Sequence, residues 1–268
     1  MKLRLAMLVL LSTSVTAVEA QWLDVKTPGI PRTADGSADL AAPAPRTADG
    51  RPELTGLWRP AGTTGDLRDP AKLQAWARTA MAEHERDYYK NGPHMLCLPS
   101  GPSFIAGGMR RMVQSPTMIA VLNSDLSYRQ IYMDGRALEA EPLPIWMGYS
   151  VGRWDGDTLV VESNGFNDRT WLHQEGLVHT DKLRITERYR RLDFGHMQLD
   201  VTYDDPGTFT APLQASVKLE YAADDVILES VCNEASEGGV KHWVGDKATD
   251  ARTTAVEVGA DILGKYVG

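Results

Sequence analysis

The chain has 268 residues, a formal net charge of −8 and a hydrophobic content of 43%, which fits one large globular domain or two small ones. It is acidic and has no basic cluster, so it is a poor candidate for nucleic-acid binding, because phosphate contacts need Lys and Arg. No nucleic-acid partner is therefore expected, and small molecules and other proteins remain as partners.

The N-terminal segment 1–20 has the pattern of a secretory signal peptide. Lys2 and Arg4 give a basic start, an apolar run follows over 5–11, and a small-x-small triplet ends at Ala20. The run is too short to span a bilayer, and no later segment has an apolar run of transmembrane length. These features predict cleavage after Ala20, no membrane span, and a periplasmic or secreted protein.

The segment 21–53 is rich in Pro, Ala, Gly and Asp. The hexapeptide PRTADG occurs in it twice, at 31–36 and at 45–50, without any apolar periodicity. This composition is typical of an extended arm or linker and not of a repeat domain. We therefore expect a Pro/Ala/Gly-rich arm at 21–53, followed by a single β-rich domain at 54–268.

The segment 69–90 is predicted to be helical. Asp69 is suited to cap the helix, Pro70 to occupy its first position, and Asn91-Gly92 to end it. A short helix is also predicted at 250–263. In the first helix one apolar stripe recurs at helical spacing, and it comprises Leu73, Trp76, Ala77, Ala80, Met81, His84 and Tyr88.

Most of the remaining chain has the pattern of β-strands joined by tight turns. The clearest hairpin has Asp155-Gly156 at its centre, the preferred two-residue type I′ turn. Short connections favour antiparallel neighbours, and a long meander closes on itself because open edges aggregate. About nine strands are predicted, at 54–58, 117–122, 128–133, 148–154, 157–163, 182–191, 196–203, 213–221 and 226–231.

An early Gly56-x-Trp58 followed by an antiparallel meander resembles the lipocalin and calycin pattern. With the meander, the resemblance implies a mainly β fold, an antiparallel meander that closes into a calycin-like barrel or strongly curled sheet, with Trp58 at its floor. The predicted N-terminal helix and the long loops depart from a plain lipocalin and from its cup-shaped binding site. The segment 146–234 is also similar to a large group of uncharacterised secreted bacterial proteins, through MGYSVGRWDGDTLVVESNGFNDRTWL, HTDKLRITERYRRLDFGH and LESVCNE. That second resemblance implies a β-rich secreted fold and carries no function.

Two cysteines, Cys97 and Cys232, are the full complement of the chain. In an exported protein an even pair predicts a disulfide, which here would tie the region before most strands to the last predicted strand. The alternative is two free buried thiols, because Cys is often a small apolar residue of the core.

The predicted strand 182–191 has a carboxylate in its apolar row. Leu183, Ile185, Glu187 and Tyr189 share one face by alternation, and Arg191 lies on the same face. A buried carboxylate without a partner is unfavourable in free energy, so Glu187 must form an ion pair, take up a proton or line a water-filled cavity. Three possibilities follow: an internal ion pair with Arg191, a general acid or base of raised pKa, or a shifted register that turns Glu187 outward.

The loop 163–181 is long for a hairpin connection, and long ordered loops are often functional. His179 is its strongest candidate, because it enters the strand that carries Glu187. The alternative is a turn at Asn167-Asp168 with both histidines in solvent. The loop combines aromatic, acidic and imidazole groups, as small-molecule sites do: Asn167, Asp168, Arg169, Trp171, His173 and His179.

A cluster of Trp146, Tyr149 and Trp154 surrounds the 148–163 hairpin. Core packing explains it, and a stacking surface for a sugar or aromatic ring is the alternative. The chain has no HExxH, no paired CxxC and no GxSxG, and Gly107-Gly108 lacks the Lys and Ser/Thr of a phosphate loop. No metal and no cofactor are therefore expected.

Two functions fit these patterns best. The first is an exported cofactor-independent enzyme, a lyase, isomerase or hydrolase, which performs acid–base chemistry on a small molecule inside the barrel. Its catalytic residues would be Glu187, His179 and Tyr189, and its substrate-binding residues Arg191, Asn167, Asp168, Trp171 and Tyr149. The alternative is a non-catalytic, calycin-like binding protein for a small molecule, with Glu187 in a structural ion pair. A third hypothesis is an interaction module of the cell envelope that uses the arm.

Overall fold

The structure is a computed structural model that describes residues 26–67 and 69–232. The predicted signal peptide at 1–20 and the predicted helix at 250–263 lie outside these described residues. Residues 26–67 and 69–232 contain three helical segments: a 3-10 helix (Pro70–Lys72), α1 (Ala75–Arg86) and α2 (Ser103–Ala106). The strands are β1 (Gly56–Gly65), β2 (Arg110–Gln114), β3 (Met118–Asn123), β4 (Tyr128–Tyr132), β5 (Tyr149–Asp155), β6 (Thr158–Asn164), β7 (Arg184–Arg191), β8 (His196–Asp204) and β9 (Leu213–Tyr221).

The nine strands form a closed barrel in which β1 pairs with both β2 and β9. The prediction of a mainly β, calycin-like barrel is confirmed. Eight of the nine neighbouring pairs are antiparallel, and the ninth, β4 with β5, is parallel. The connection 133–148 is long enough to return the chain to the end of the barrel where β4 began, so β5 runs in the same direction as β4.

Two strand predictions differ from the structure. The charged segment Arg110–Gln114 is strand β2, which the sequence pattern did not predict. Residues 226–231 were predicted to form a strand, and this prediction is wrong. Strand β9 is already paired on both sides, by β8 and by β1, so the closed barrel leaves no edge for a further strand.

The predicted helix at 69–90 is shorter and divided. Leu73 leaves the helical conformation to bridge Phe209, so the 3-10 helix and α1 are separate. Tyr88 and Tyr89, with φ of 53° and 55°, lie beyond the end of α1. Leu73 and Ala77 of the predicted stripe are buried, whereas Trp76 and Tyr88 are exposed. Met81 packs against the hydrophobic core, so the inward side of α1 includes Ala77 and Met81.

The barrel interior is packed with large side chains. Burial alternates along β7, β8 and β9 as the period of two requires, and the inward row of β7 contains Glu187 and Tyr189 as predicted. The largest fully buried side chains include Trp58, Arg110 and Tyr203. The interior therefore combines an aliphatic core with buried arginine, glutamate and tyrosine groups.

One end of the barrel, the floor, contains the Gly-x-Trp of β1. Trp58 is fully buried there and donates a hydrogen bond of 3.0 Å to the carbonyl of Leu54. Gly56 has a φ of 151°, and a Cβ at this position would lie 2.2 Å from the ring of Tyr221. Glycine is therefore required where the Tyr221 ring crosses β1 and meets the Trp58 ring edge-on at 5.3 Å.

The arm is packed against the floor and is not a free linker. Each PRTADG copy folds into a turn closed by an isolated bridge, at 32–38 and at 46–52. The arginine of each copy pairs with an aspartate at the floor: Arg32 with Asp224, just after β9, and Arg46 with Asp157, in the turn between β5 and β6. The repeat in the sequence therefore marks two equivalent attachment points.

At the opposite end, the mouth, a disulfide joins Cys97 to Cys232 with a Cα–Cα distance of 5.5 Å, which confirms the predicted pairing. It ties the loop after α1 to the segment that follows β9. Among the described residues, no helix has the length and apolar character needed to cross a membrane.

Candidate functional site

Glu187 forms a buried ion pair with Arg129 of β4. Both side chains are at most 3% exposed, and both carboxylate oxygens accept from the guanidinium, with 2.9 Å from Nη1 to Oε2. The predicted ion pair between Glu187 and Arg191 is wrong. Residues four apart in a strand are separated by about 13 Å along it, whereas β4 faces β7 across the barrel.

The ion pair belongs to a larger hydrogen-bonded group. Arg129 also donates from Nε to Ser150 Oγ at 2.8 Å and from Nη2 to Ser163 Oγ at 2.7 Å. The hydroxyl of Tyr189 donates to Glu187 Oε2 at 2.7 Å. Burial lowers the pKa of Arg129, but the Glu187 carboxylate more than offsets this, so the net shift is upward. Burial and the Glu187 charge raise the pKa of Tyr189, which keeps its phenol a donor.

These contacts define what Glu187 can do chemically. Its carboxylate is fully buried, and its oxygens already accept hydrogen bonds from Arg129 and Tyr189. A general acid or base needs reach to a substrate proton. The acid–base role of Glu187 and Tyr189 stays a prediction, and the geometry provides a structural role for both.

His179 is buried within its own loop. Its Nδ1–H donates to the carbonyl of Thr180 at 2.9 Å, so Nε2 is the unprotonated nitrogen and accepts from the Thr170 hydroxyl at 2.7 Å. Burial lowers the pKa of His179 below its ordinary value of 6.5. These hydrogen bonds hold the neutral imidazole in the loop and do not connect it to Glu187.

The burial of His179 predicts a pH-dependent stability. Its folded-state pKa is lowered, so below about pH 6.5 the unfolded chain binds a proton that the folded protein does not. The free energy of unfolding is therefore expected to fall as the pH drops below this value. Denaturant titrations between pH 8 and pH 5 measure it, and His179→Gln should show a flatter profile. Parallel profiles for the two proteins would contradict the assignment.

Arg191 lies at the floor and not in a substrate cavity. Its guanidinium donates to the carbonyls of Asp193, Glu53 and Phe194, and it lies 4.9 Å from the centre of the Trp58 ring. Burial lowers the pKa of Arg191 to about 10, so it stays charged at neutral pH. Because Glu53 belongs to the arm, Arg191 fastens the arm to the floor.

The other predicted binding residues are dispersed. Asn167 accepts a hydrogen bond from the N–H of Arg169 in a local turn, and Asp168 is exposed. The Trp171 ring is stacked on His84 of α1, with ring centres 4.4 Å apart. Tyr149 is different, because it lines a cleft in the barrel wall.

This cleft, here called the seam cleft, lies where the parallel strands β4 and β5 separate. They are in register at only two pairs, Ile131 with Ser150 and Tyr132 with Val151, and diverge toward the mouth. The resulting cavity has a volume of about 350 Å³. The lining residues include Tyr128, Arg129, Tyr132, Trp146, Met147 and Tyr149.

The seam cleft has aromatic walls and a charged group in its lining. Tyr128 is 65% exposed and Tyr149 is 38% exposed, so both rings are accessible. Trp146 is covered on one side by the guanidinium of Arg169, 5.3 Å from a ring centre. Arg129 connects the cleft to the buried Glu187 cluster. Arg129 was not predicted as a site residue, although it shares a face with Ile131 in the predicted strand 128–133.

A second cleft, here called the mouth cleft, has a volume of about 940 Å³. It lies among the end of β1, the loop after α1, the α2 region and the loop 172–175. Its lining includes Tyr88, Tyr89, His94, Phe104, Gly108 and His173.

The described part of the chain contains no group of three or more His, Cys, Asp or Glu side chains that could hold a metal ion. Comparison of the chain with known proteins finds no matching family model, no matching curated protein and no matching solved structure. The two clefts and the buried cluster are thus the features from which a function can be inferred.

Proposed function

We propose that this chain is an exported binding protein for an uncharged, ring-bearing small molecule, which it holds in the seam cleft. The observation that supports the proposal most is the aromatic lining of the cleft, with the exposed rings of Tyr128 and Tyr149 and the half-buried ring of Trp146, beside an arginine held in place by the barrel. Ligand sites commonly combine such aromatic surfaces with a few placed polar groups.

The aromatic walls of the seam cleft favour a ligand that contains a ring. Tyrosine and tryptophan rings contribute about 0.5–1.5 kcal/mol per aromatic pair beyond the area that they bury. They also lose little conformational entropy on binding, because each has only two side-chain torsions. A cavity of about 350 Å³ is at the small end for ligand sites, so a ligand of one or two rings fits it.

Arg129 favours an uncharged ligand with an acceptor oxygen. Its positive charge is already balanced by Glu187, so the pair attracts neither anions nor cations strongly. Four hydrogen bonds to Glu187, Ser150 and Ser163 use four of its five N–H groups. The fifth, on Nη1, can donate to a hydroxyl or carbonyl oxygen. A monosaccharide or a phenol has both the ring and the oxygen.

Two observations support an exported protein. The Cys97–Cys232 disulfide is typical of proteins that fold in an oxidising compartment. The sequence of residues 1–20 has the three parts of a secretory signal peptide.

Acid–base catalysis by Glu187 is the alternative function. Binding is favoured over it because Glu187 is buried and held by Arg129 and Tyr189, whereas the accessible groups of the seam cleft are rings. Incubation of the wild type and Glu187→Gln with a metabolite extract, followed by mass spectrometry, separates the two. A compound that the wild type consumes and the variant leaves intact, while circular dichroism shows that the variant is folded, would favour the enzyme.

The binding proposal is tested by removing one ring at a time. We expect a panel of monosaccharides and simple phenols to contain a compound whose affinity falls about fivefold or more in Trp146→Ala and in Tyr149→Ala, because each ring contributes about 1 kcal/mol or more to stacking. Isothermal titration calorimetry measures the affinities.

Trp76→Ala is the matched control, since Trp76 is a half-exposed tryptophan on α1 outside the cleft. It should bind the compound as the wild type does. The proposal fails if no member of the panel binds, or if the two cleft variants bind as tightly as the control.

A further inference from the structure

The mouth cleft is lined on one side by a short stretch of backbone that lies next to a buried arginine. The segment Ile105–Gly108 separates this cleft from Arg110, and Ala106, Gly107 and Gly108 are among its lining residues. Arg110 is 1% exposed and donates to the carbonyls of Ile105 and Gly107, each at 2.6 Å, and of Gly108 at 3.1 Å. One short stretch of backbone thus faces a buried cation on one side and the cleft on the other.

The orientation of this backbone follows from peptide geometry. In a trans peptide the N–H and the C=O point in opposite directions, and the described residues have no cis peptide bond. The carbonyls of Gly107 and Gly108 point at Arg110, so the N–H groups of Gly108 and Met109 point away from it. These peptide dipoles place their positive ends on the side away from Arg110, where Gly107 and Gly108 line the cleft.

The charge of Arg110 reinforces these dipoles. Among the described residues, no carboxylate forms an ion pair with Arg110, and the buried Glu187 is paired with Arg129. The Nε of Arg110 and the hydroxyl of Tyr203 have no hydrogen-bond partner among these residues, although both are buried. A buried cation that is not neutralised by an ion pair raises the potential at nearby surfaces, because the protein interior screens it weakly.

The glycines allow a ring to pack beside this backbone. Gly108 has a φ of 75°, which favours glycine, and a Cβ there would lie 2.3 Å from the ring of Phe104. Phe104 therefore sits directly against the peptide whose N–H points away from Arg110, and it also lines the cleft. Tyr88, 88% exposed, and Tyr89 supply further ring surface.

We propose that the mouth cleft binds an aromatic monocarboxylate. The carboxylate accepts hydrogen bonds from the backbone N–H groups at Gly108 and Met109, above the charge of Arg110, and the aromatic ring packs on Phe104 and the tyrosines. The two N–H groups match the two oxygens of a single carboxylate. This site is separate from the seam cleft and takes a ligand of different charge.

The test uses 2-naphthoate and its uncharged analogue 2-naphthamide. We expect the wild type to bind 2-naphthoate at least tenfold more tightly than 2-naphthamide by calorimetry. In protein labelled with ¹⁵N-glycine, 2-naphthoate should shift the amide resonance of Gly108, a proposed donor, more than that of Gly107, whose N–H donates to the carbonyl of Ser103. Equal affinity for the two probes, no binding of 2-naphthoate, or unchanged glycine resonances would overturn the proposal.

Two variants localise the binding. Tyr88→Asn removes the ring and keeps a residue that tolerates positive φ, and it should weaken 2-naphthoate binding severalfold. Trp146→Ala in the seam cleft should leave that affinity unchanged. If Trp146→Ala abolishes 2-naphthoate binding and Tyr88→Asn does not alter it, the probe occupies the seam cleft and the mouth site is refuted.

Discussion

Glu187→Gln is expected to lower the free energy of unfolding by about 3–5 kcal/mol, the cost of breaking a buried ion pair by removing one partner. The substitution keeps the size of the side chain and removes its charge. Arg129 would then keep its positive charge in the barrel interior with only Ser150 and Ser163 and a neutral amide to solvate it. Tyr189 would lose an ionised acceptor for its hydroxyl.

The measurement is urea denaturation at pH 7, followed by tryptophan fluorescence. Glu162→Gln is the matched control, because Glu162 pairs with Arg153 between neighbouring strands while both side chains are well exposed. The free energy of unfolding of Glu162→Gln should stay within about 1 kcal/mol of the wild-type value, as for the loss of other surface ion pairs. The double variant Arg129→Met/Glu187→Leu should recover much of the stability, since neither charge is left unpaired. A Glu187→Gln protein as stable as the control would contradict the structural role.

The alternation of polar and apolar residues predicted which side chains point inward, but it did not predict their partners. Glu187 interrupts the apolar row of one predicted strand. Arg129 interrupts the apolar row of another, the row that contains Ile131. The two interruptions are complementary in charge, and this signal could have suggested the pair. It was missed because strands 58 residues apart meet only when the barrel closes, and closure is a property of the whole sheet.

The seam cleft likewise depends on strand contacts that the local sequence pattern does not predict. Tight turns predict antiparallel neighbours, and they do so correctly for the Asp155-Gly156 hairpin. The parallel contact of β4 with β5 depends on the path of a long connection, for which the local pattern carries little information. Tyr149 was predicted to bind a ligand, and it lines that cleft. The loop residues His179 and Trp171 instead pack within the protein, against Thr170 and against His84 of α1. The local sequence of the loop does not show these contacts.

Replacement of both cysteines, in Cys97→Ala/Cys232→Ala, is expected to lower the free energy of unfolding by about 2–5 kcal/mol, the range for loss of a native disulfide. The bond spans 135 residues of sequence, so its removal enlarges the conformational freedom of most of the unfolded chain. It also releases the loop that carries Tyr88, Tyr89 and His94 on the wall of the mouth cleft.

The loss of ligand affinity in this variant should therefore differ between the two clefts. At a temperature where the double-alanine variant is folded, 2-naphthoate binding should weaken, because Tyr88 and Tyr89 are no longer held by a cross-linked loop. The seam ligand should bind as before, since the β4–β5 contact lies within the barrel. Thermal unfolding with and without reductant provides the control: the wild type should approach the variant under reduction, and the variant should not respond. A variant with the melting temperature of the oxidised wild type would show that the barrel alone determines the stability.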